Sequence, residues 1–132
     1  ANIGAGVIVA LPPDSCGVAE TARIIEFMAR ESARQCGPCA FGLPALAADF
    51  ELLRRGRDGG SALARLEERC TTIEGRGACR HPDGVIRLVR SALRTFADDV
   101  VRHGAGQPCA HAATSTTAPI PHRSHPETLE WA

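Results

Sequence analysis

A chain of 132 residues, 44% of them hydrophobic, is long enough for one domain with a modest core and too short for several. Fifteen basic residues offset fifteen acidic ones, and a neutral chain lacks the electrostatic footprint of a dedicated nucleic-acid or anionic-lipid binder. The longest apolar run, 5–13, contains glycine, ends in two prolines, falls short of the roughly 20 residues that cross a bilayer and lacks the flanks of a signal peptide, so neither membrane insertion nor export is expected.

Gly4 and Gly6 lead into Val7-Ile8-Val9, a β-branched run that reads as a strand. A lone strand is not stable and no second convincing one follows; with Ala rather than Met at the start, this one reads as the end of a sheet lying upstream in a longer parent. After Pro12-Pro13, Asp14 or Ser15 can cap a helix over 16–32 whose stripe is Val18, Ala22, Ile25 and Met28 or Ala29. The turn Cys36-Gly37-Pro38-Cys39 interrupts the pattern. A second helix then runs to Arg55, with Pro44 in its first turn and Leu46, Phe50 and Leu53 on one face, and Gly56, Gly59 and Gly60 end it.

Ser61 caps a third helix carrying Leu63, Leu66 and Ile73, and a loop rich in turn residues covers 75–84. The fourth helix, 84–103, has the clearest stripe: Val85 or Ile86, Val89, Leu93, Phe96 or Ala97, and Val100. Beyond Gly104 no periodicity survives among Ala, Ser, Thr, Pro and His, so 105–132 reads as a disordered tail. The predicted fold class is therefore all-α: a small four-helix bundle preceded by one strand and followed by that tail.

Six cysteines fall below the roughly 8–10% that marks a secreted disulfide scaffold, and clustered cysteines outside that class point to metal or redox chemistry. Cys36 and Cys39 lie two residues apart, so one turn can present both sulfurs on the same side among free backbone N–H groups. Cys79, in the second turn-rich loop, could supply a third thiolate and tie two helices together. A C-x2-C pair taken alone suits a metal site about as well as a packed or redox pair. Cys-Gly-Pro-Cys is also the thioredoxin active-site sequence, but there it follows a strand, whereas residues 24–34 have helical spacing and no sheet surrounds them. A dithiol catalyst therefore ranks behind a metal centre.

Cys16, Cys70 and Cys109 read as unligated, with Cys70 packing beside Leu66 and Ile73. His81 reads as a solvated loop side chain with a ligand role as the alternative, and His122 and His125 as exposed tail residues. Arg34, Arg76 and Arg80 flank the cysteine loops, where positive charge favours thiolates, while Arg87, Arg90 and Arg94 read as the solvated face of the last helix. No Gly-rich loop follows a strand, and neither G-x-S-x-G nor H-E-x-x-H occurs, so neither a nucleotide site nor a hydrolase is indicated.

The segment Glu31-Ser32-Ala33-Arg34-Gln35-Cys36-Gly37-Pro38-Cys39 resembles the cluster-binding motif E-S-C-G-x-C-x-P-C of the family of the NADH-ubiquinone oxidoreductase (complex I) 51 kDa flavoprotein subunit and its hydrogenase and formate dehydrogenase relatives. The family's fourth Cys follows some forty residues later in a loop before the last helix, as Cys79 does here. Gly4 to Val9 also looks like the end of the family's soluble-ligand-binding β-grasp domain. The resemblance covers 1–109 and implies a division into the end of that domain at 1–14, a helical iron-sulfur binding domain at 15–104 and a tail at 105–132.

By the same resemblance, Cys36, Cys39 and Cys79 are the second, third and fourth ligands of a 4Fe-4S cluster, or of a 3Fe-4S one, that takes electrons singly from a flavin reduced by NADH. Ala33 stands at the first ligand position, and a methyl group cannot bind iron. A non-Cys ligand, an open iron, a three-iron cluster, a recruited Cys or loss of the cluster are the possible consequences. FMN and NAD are expected only on upstream domains. Those domains and other subunits of a redox complex are the expected partners, and the expected location is cytoplasmic, peripheral to the inner face of the membrane through that complex. The segment is then one part of an NADH:quinone oxidoreductase-like enzyme. The alternative is a cluster-less or zinc-binding structural domain of the same descent, the zinc held by three thiolates and His81.

Overall fold

The computed structural model of the chain describes residues 7–57 and 59–121. Among them the helices are α1 Gly17–Arg30, α2 Leu43–Arg54, α3 Ala62–Ile73, α4 His81–Thr95 and α5 Ala97–Gly104, with a π-helical turn, Pro38–Gly42, running straight into α2. None of these helices is long and apolar enough to cross a membrane.

The all-α class holds, and the described residues form five helices rather than four. Val18, Ala22, Ile25 and Ala29 are buried along α1 as their spacing requires, and α1 packs on α2 and α4. With 14 residues, α1 is about 21 Å long. Its N-cap is Cys16, one position beyond Ser15: the thiol accepts from the Ala19 N–H at 3.4 Å, while the Ser15 hydroxyl donates to the Pro12 carbonyl. Pro44 lies in the first turn of α2, and Leu43, Leu46, Phe50 and Leu53 are buried on one face.

Ser61 stands at the N-cap of α3, but its hydroxyl accepts from Arg65 rather than from the helix. A missing cap costs about 1 kcal/mol. One fully buried leucine such as Leu66 contributes about 1.5–3 kcal/mol, so packing holds this helix. Ala62 takes the inward position expected for Leu63, which is exposed. A buried carboxylate ties α2 to α3: Asp49 accepts from Arg65 Nε at 2.9 Å and from Arg69. Burial opposes the charged form of Asp49, but the two guanidinium groups outweigh it and hold its pKa below the usual carboxylate value.

The helix predicted over 84–103 starts three residues earlier, at His81, with Pro82 in the first turn. It then breaks at Phe96 (φ −107, ψ 33), and α5 turns back onto α2 and α1. Gly17 makes the break possible, because a Cβ there would lie 2.3 Å from the Phe96 ring.

The strand expected at Val7-Ile8-Val9 does not form among the described residues. These side chains are exposed, and no described edge offers the backbone partners a strand needs. The expected disorder is also corrected for 105–121, where Ala112, Ser115 and Ala118 are buried against the helices. The anchor is Glu20, 3% exposed, which accepts from the Ser115 hydroxyl at 2.6 Å, the Thr117 N–H at 2.7 Å and the Ala118 N–H at 2.8 Å, and pairs with Arg23. His122 and His125 lie outside the described residues.

Candidate metal centre

Two loops carry the predicted ligands, and local chemistry brings them together. After α1 the Ser32 hydroxyl donates to the Ala29 carbonyl, and the chain reverses through Arg34 in the left-handed region (φ 54). Only glycine adopts that region without cost, and Arg34 stands where the E-S-C-G-x-C-x-P-C motif has Gly. The reversal leads into the turn at Cys36, whose carbonyl accepts from the Ala40 N–H at 2.9 Å, and Cys39 lies inside the π-helical turn.

The second loop, between α3 and α4, is drawn back by Asp83, which accepts from the Gly75 N–H at 2.9 Å. Two contacts dock it on the first. Ile73 lies over Gly42, where a Cβ would be 2.9 Å from Ile73 Cδ1. His81 Nε2 donates to the Met28 carbonyl at 2.9 Å, tying the start of α4 to the last turns of α1. His81 is thus a half-buried helix residue rather than a solvated loop side chain, and its Nε2 is already committed.

The sulfurs register this meeting. The backbone amides of Ala78, in the second loop, and of Cys39 act on Cys36 to lower its pKa. Cys39 is buried and its thiol is pushed up, first by that burial and then by Cys36 and Cys79, with the Arg34 N–H acting in the opposite direction. Cys79 is exposed. Cys36 and Cys79 both act electrostatically on the Cys39 thiol, so the two loops lie near each other at the end of the bundle where α1 finishes, but among the described residues the three sulfurs do not form a group lying within 4.8 Å of one another. Ala33 is exposed and offers no donor atom. Arg34, Arg76 and Arg80 are exposed around the loops, with Arg80 3.7 Å from Asp83. Arg87 and Arg94 are exposed as expected, while Arg90 pairs with Glu74 at 2.8 Å.

Among the other cysteines, Cys70 is fully buried in α3 as expected, and burial raises its thiol to about 11. Sequence reasoning missed a second group. At the start of α1, ligand atoms of Cys16, His103 and Cys109 lie within 4.8 Å of one another. The last turn of α5 and the segment after it bring them there, and no spacing in the sequence signals that convergence.

Comparison with known proteins shows the family. The NADH-ubiquinone oxidoreductase-F iron-sulfur binding region matches residues 19–103. Similar relatives include the second NADH-quinone oxidoreductase F subunit of Rhizobium meliloti (strain 1021), 32% identical over 101 residues, which cover 76% of this chain and 24% of that protein. The NADH-quinone oxidoreductase F subunit of Escherichia coli (strain K12) is 28% identical over 99 residues, 74% of this chain and 22% of that protein. Its counterpart in Mycobacterium tuberculosis (strain ATCC 25618 / H37Rv) is 30% identical over 95 residues, 72% and 21% of the two chains. The chain thus spans less than a quarter of the length of these curated relatives. On the extent of the family match, and on the cysteine loops that fall inside it, the chain belongs to the NADH-ubiquinone oxidoreductase-F iron-sulfur binding region family.

Proposed function

We propose that Cys36, Cys39 and Cys79 hold an iron-sulfur cluster of the four-iron class, and that this domain carries electrons away from a flavin reduced by NADH on an upstream domain of the parent protein. The supporting observation is that the His81 Nε2 bond to the Met28 carbonyl and the contact of Ile73 with Gly42 hold the loop of Cys79 against the turn of Cys36. Bound there, the cluster would supply one-electron transfer between the flavin and the next carrier. The chain's own residues do the rest. Amides of Ala78 and Cys39 favour the Cys36 thiolate, Cys39 is shielded from water, and the His81 and Ile73 contacts fix the loop of Cys79 against the turn of Cys36. Ala33 contributes no donor, so the fourth position is left to a non-Cys ligand or to an open iron.

NADH and flavin would bind on domains outside this chain, and the parent would work as a peripheral subunit of a redox complex on the inner face of the membrane. The experiment is Mössbauer and EPR spectroscopy on anaerobically purified, iron-57-labelled protein, with iron, zinc and sulfide counted on the same sample. A four-iron signature lost on Cys36→Ser, Cys39→Ser or Cys79→Ser is expected, and a three-iron signature would place the vacancy opposite Ala33. Zinc in place of iron, or no metal after anaerobic reconstitution, refutes the proposal.

A further inference from the structure

We infer that Cys16, His103 and Cys109 form a second metal site, a Cys2His set for a soft divalent cation of the zinc type, at the opposite end of α1 from the Cys36 turn. The three donors come from three places: the cap of α1, the last turn of α5, and the segment following α5. Cys16 and His103 are almost wholly buried, and Cys109 is half-buried. Cys16 Sγ lies 3.6 Å from His103 Nε2. Around a tetrahedral zinc, with Zn–S about 2.3 Å and Zn–N about 2.0–2.1 Å, the edge between a sulfur and a nitrogen is about 3.6 Å.

A thiol-imidazole hydrogen bond alone spans a similar distance, and the rest of the arrangement decides between the two. The Arg54 carbonyl can only accept, so His103 Nδ1, 2.8 Å away, is the N–H donor, which leaves the lone pair on Nε2. Donation from the far ring nitrogen to a backbone carbonyl is how a ligating histidine is oriented. The lone pair at Nε2 is then claimed both by the Cys109 N–H, at 3.3 Å, and by the Cys16 thiol. One lone pair cannot satisfy both well; a cation bound by two thiolates and Nε2 would end that competition by taking the lone pair itself, with the Cys109 N–H turning to another acceptor.

Beside Cys109 a cleft of about 260 Å³, bounded by Arg54, Arg57, Pro108 and Ala112, opens to solvent and offers an entry path and room for a water as fourth ligand. Binding would replace two thiol protons by one divalent cation and release both protons to solvent. Cys16 and Cys109 lie outside the matched residues 19–103 and His103 is the last of them, and none of the three belongs to the cysteine set proposed for the cluster. Its consequence would be to clamp residues 105–121 onto the start of α1.

The test is a Co2+ titration of the full chain carrying Cys36→Ser, Cys39→Ser and Cys79→Ser, reduced with a phosphine, so that a failed cluster proposal cannot affect the result. One Co2+ per chain is expected, with a sulfur-to-cobalt charge-transfer band and tetrahedral d–d bands, displaced by Zn2+. Adding Cys109→Ser should weaken binding more than about tenfold, and Zn2+ should slow amide exchange in 105–121 only when Cys109 is present. If the triple variant does not fold, the unmodified chain is compared with Cys109→Ser alone, and the bound Co2+ count must fall by one. No bound Co2+, or equal binding with and without Cys109 in chains of equal helix content, overturns the inference.

Discussion

Replacing Glu20 with Gln should release the 105–121 segment while leaving the helices in place. In the fold, Oε1 accepts from the Ser115 hydroxyl and the Thr117 N–H, and Oε2 accepts from the Ala118 N–H and Arg23. Gln keeps an oxygen at the first position but puts an NH2 against two donors at the second. Each hydrogen bond to a charged group contributes about 1.5–3 kcal/mol net; the Ala118 bond is lost, while Arg23, a quarter exposed, recovers most of its lost bond by turning to water. The expected cost is therefore about 2 kcal/mol, or roughly 30-fold faster amide exchange at Thr117 and Ala118. Amides in the middle of α4 should change little. Burial works against the Glu20 carboxylate, but the Ser115, Ala118 and Thr117 bonds and Arg23 outweigh it, so its folded pKa lies below the unfolded value of about 4.3. A depressed folded pKa means that this contribution is complete above about pH 4.3 and is lost as pH falls through the folded value. In acid, the parent's protection at Thr117 and Ala118, taken relative to the intrinsic exchange rate at each pH, should then fall to that of the Gln variant, whose own protection changes little with pH. Unchanged exchange at these two amides, or equal acceleration in α4, would refute the reasoning.

Gly17→Ala forces a methyl into the Phe96 ring and should cost about 1–3 kcal/mol, read as a lower thermal midpoint that Phe96→Leu partly restores. Asp49→Asn removes the charge that holds Arg65 and Arg69; both arginines reach solvent, so the loss should sit near 1 kcal/mol in urea unfolding and shrink further in high salt. Arg34→Gly should stabilise by about 0.5–1 kcal/mol, because relief of the left-handed strain exceeds the extra entropy that glycine loses on folding. A destabilised Arg34→Gly would mean that the Arg34 side chain, not its backbone, holds the turn.

Where a single helix face decided the matter, the sequence was a sufficient guide. The stripes of α1 and α2 and the burial of Cys70 follow from spacing alone, because each concerns residues three or four apart on one rigid element. The break at Phe96 was hidden because the apolar pattern stays in phase on both sides of it, and what makes room for the break is the bare Cα of Gly17, 79 residues away in the chain. The 105–121 segment looked unstructured because it has no periodicity; its order comes from one buried carboxylate on α1 receiving backbone N–H groups, which leave no trace in a sequence. For the candidate centre, Cys36 and Cys39 announce themselves by proximity. The arrival of Cys79 rests on Ile73 against Gly42 and on His81 reaching the Met28 carbonyl, both long-range contacts.

The length of α1 keeps the molecule's two thiol groups apart. Cys16 caps its first turn and the Cys36 turn follows its last, so about 21 Å of rigid helix lies between them. A free thiol at the Cys16 end cannot repair the missing donor at Ala33 without unwinding that helix, nor can a metal loaded at one end migrate to the other through a shared ligand. Among the described residues, a replacement for a first ligand would therefore have to be local to the two cysteine loops. If both groups bind metal as proposed, the oxidation state of one could be changed, and its metal exchanged, with the other left undisturbed.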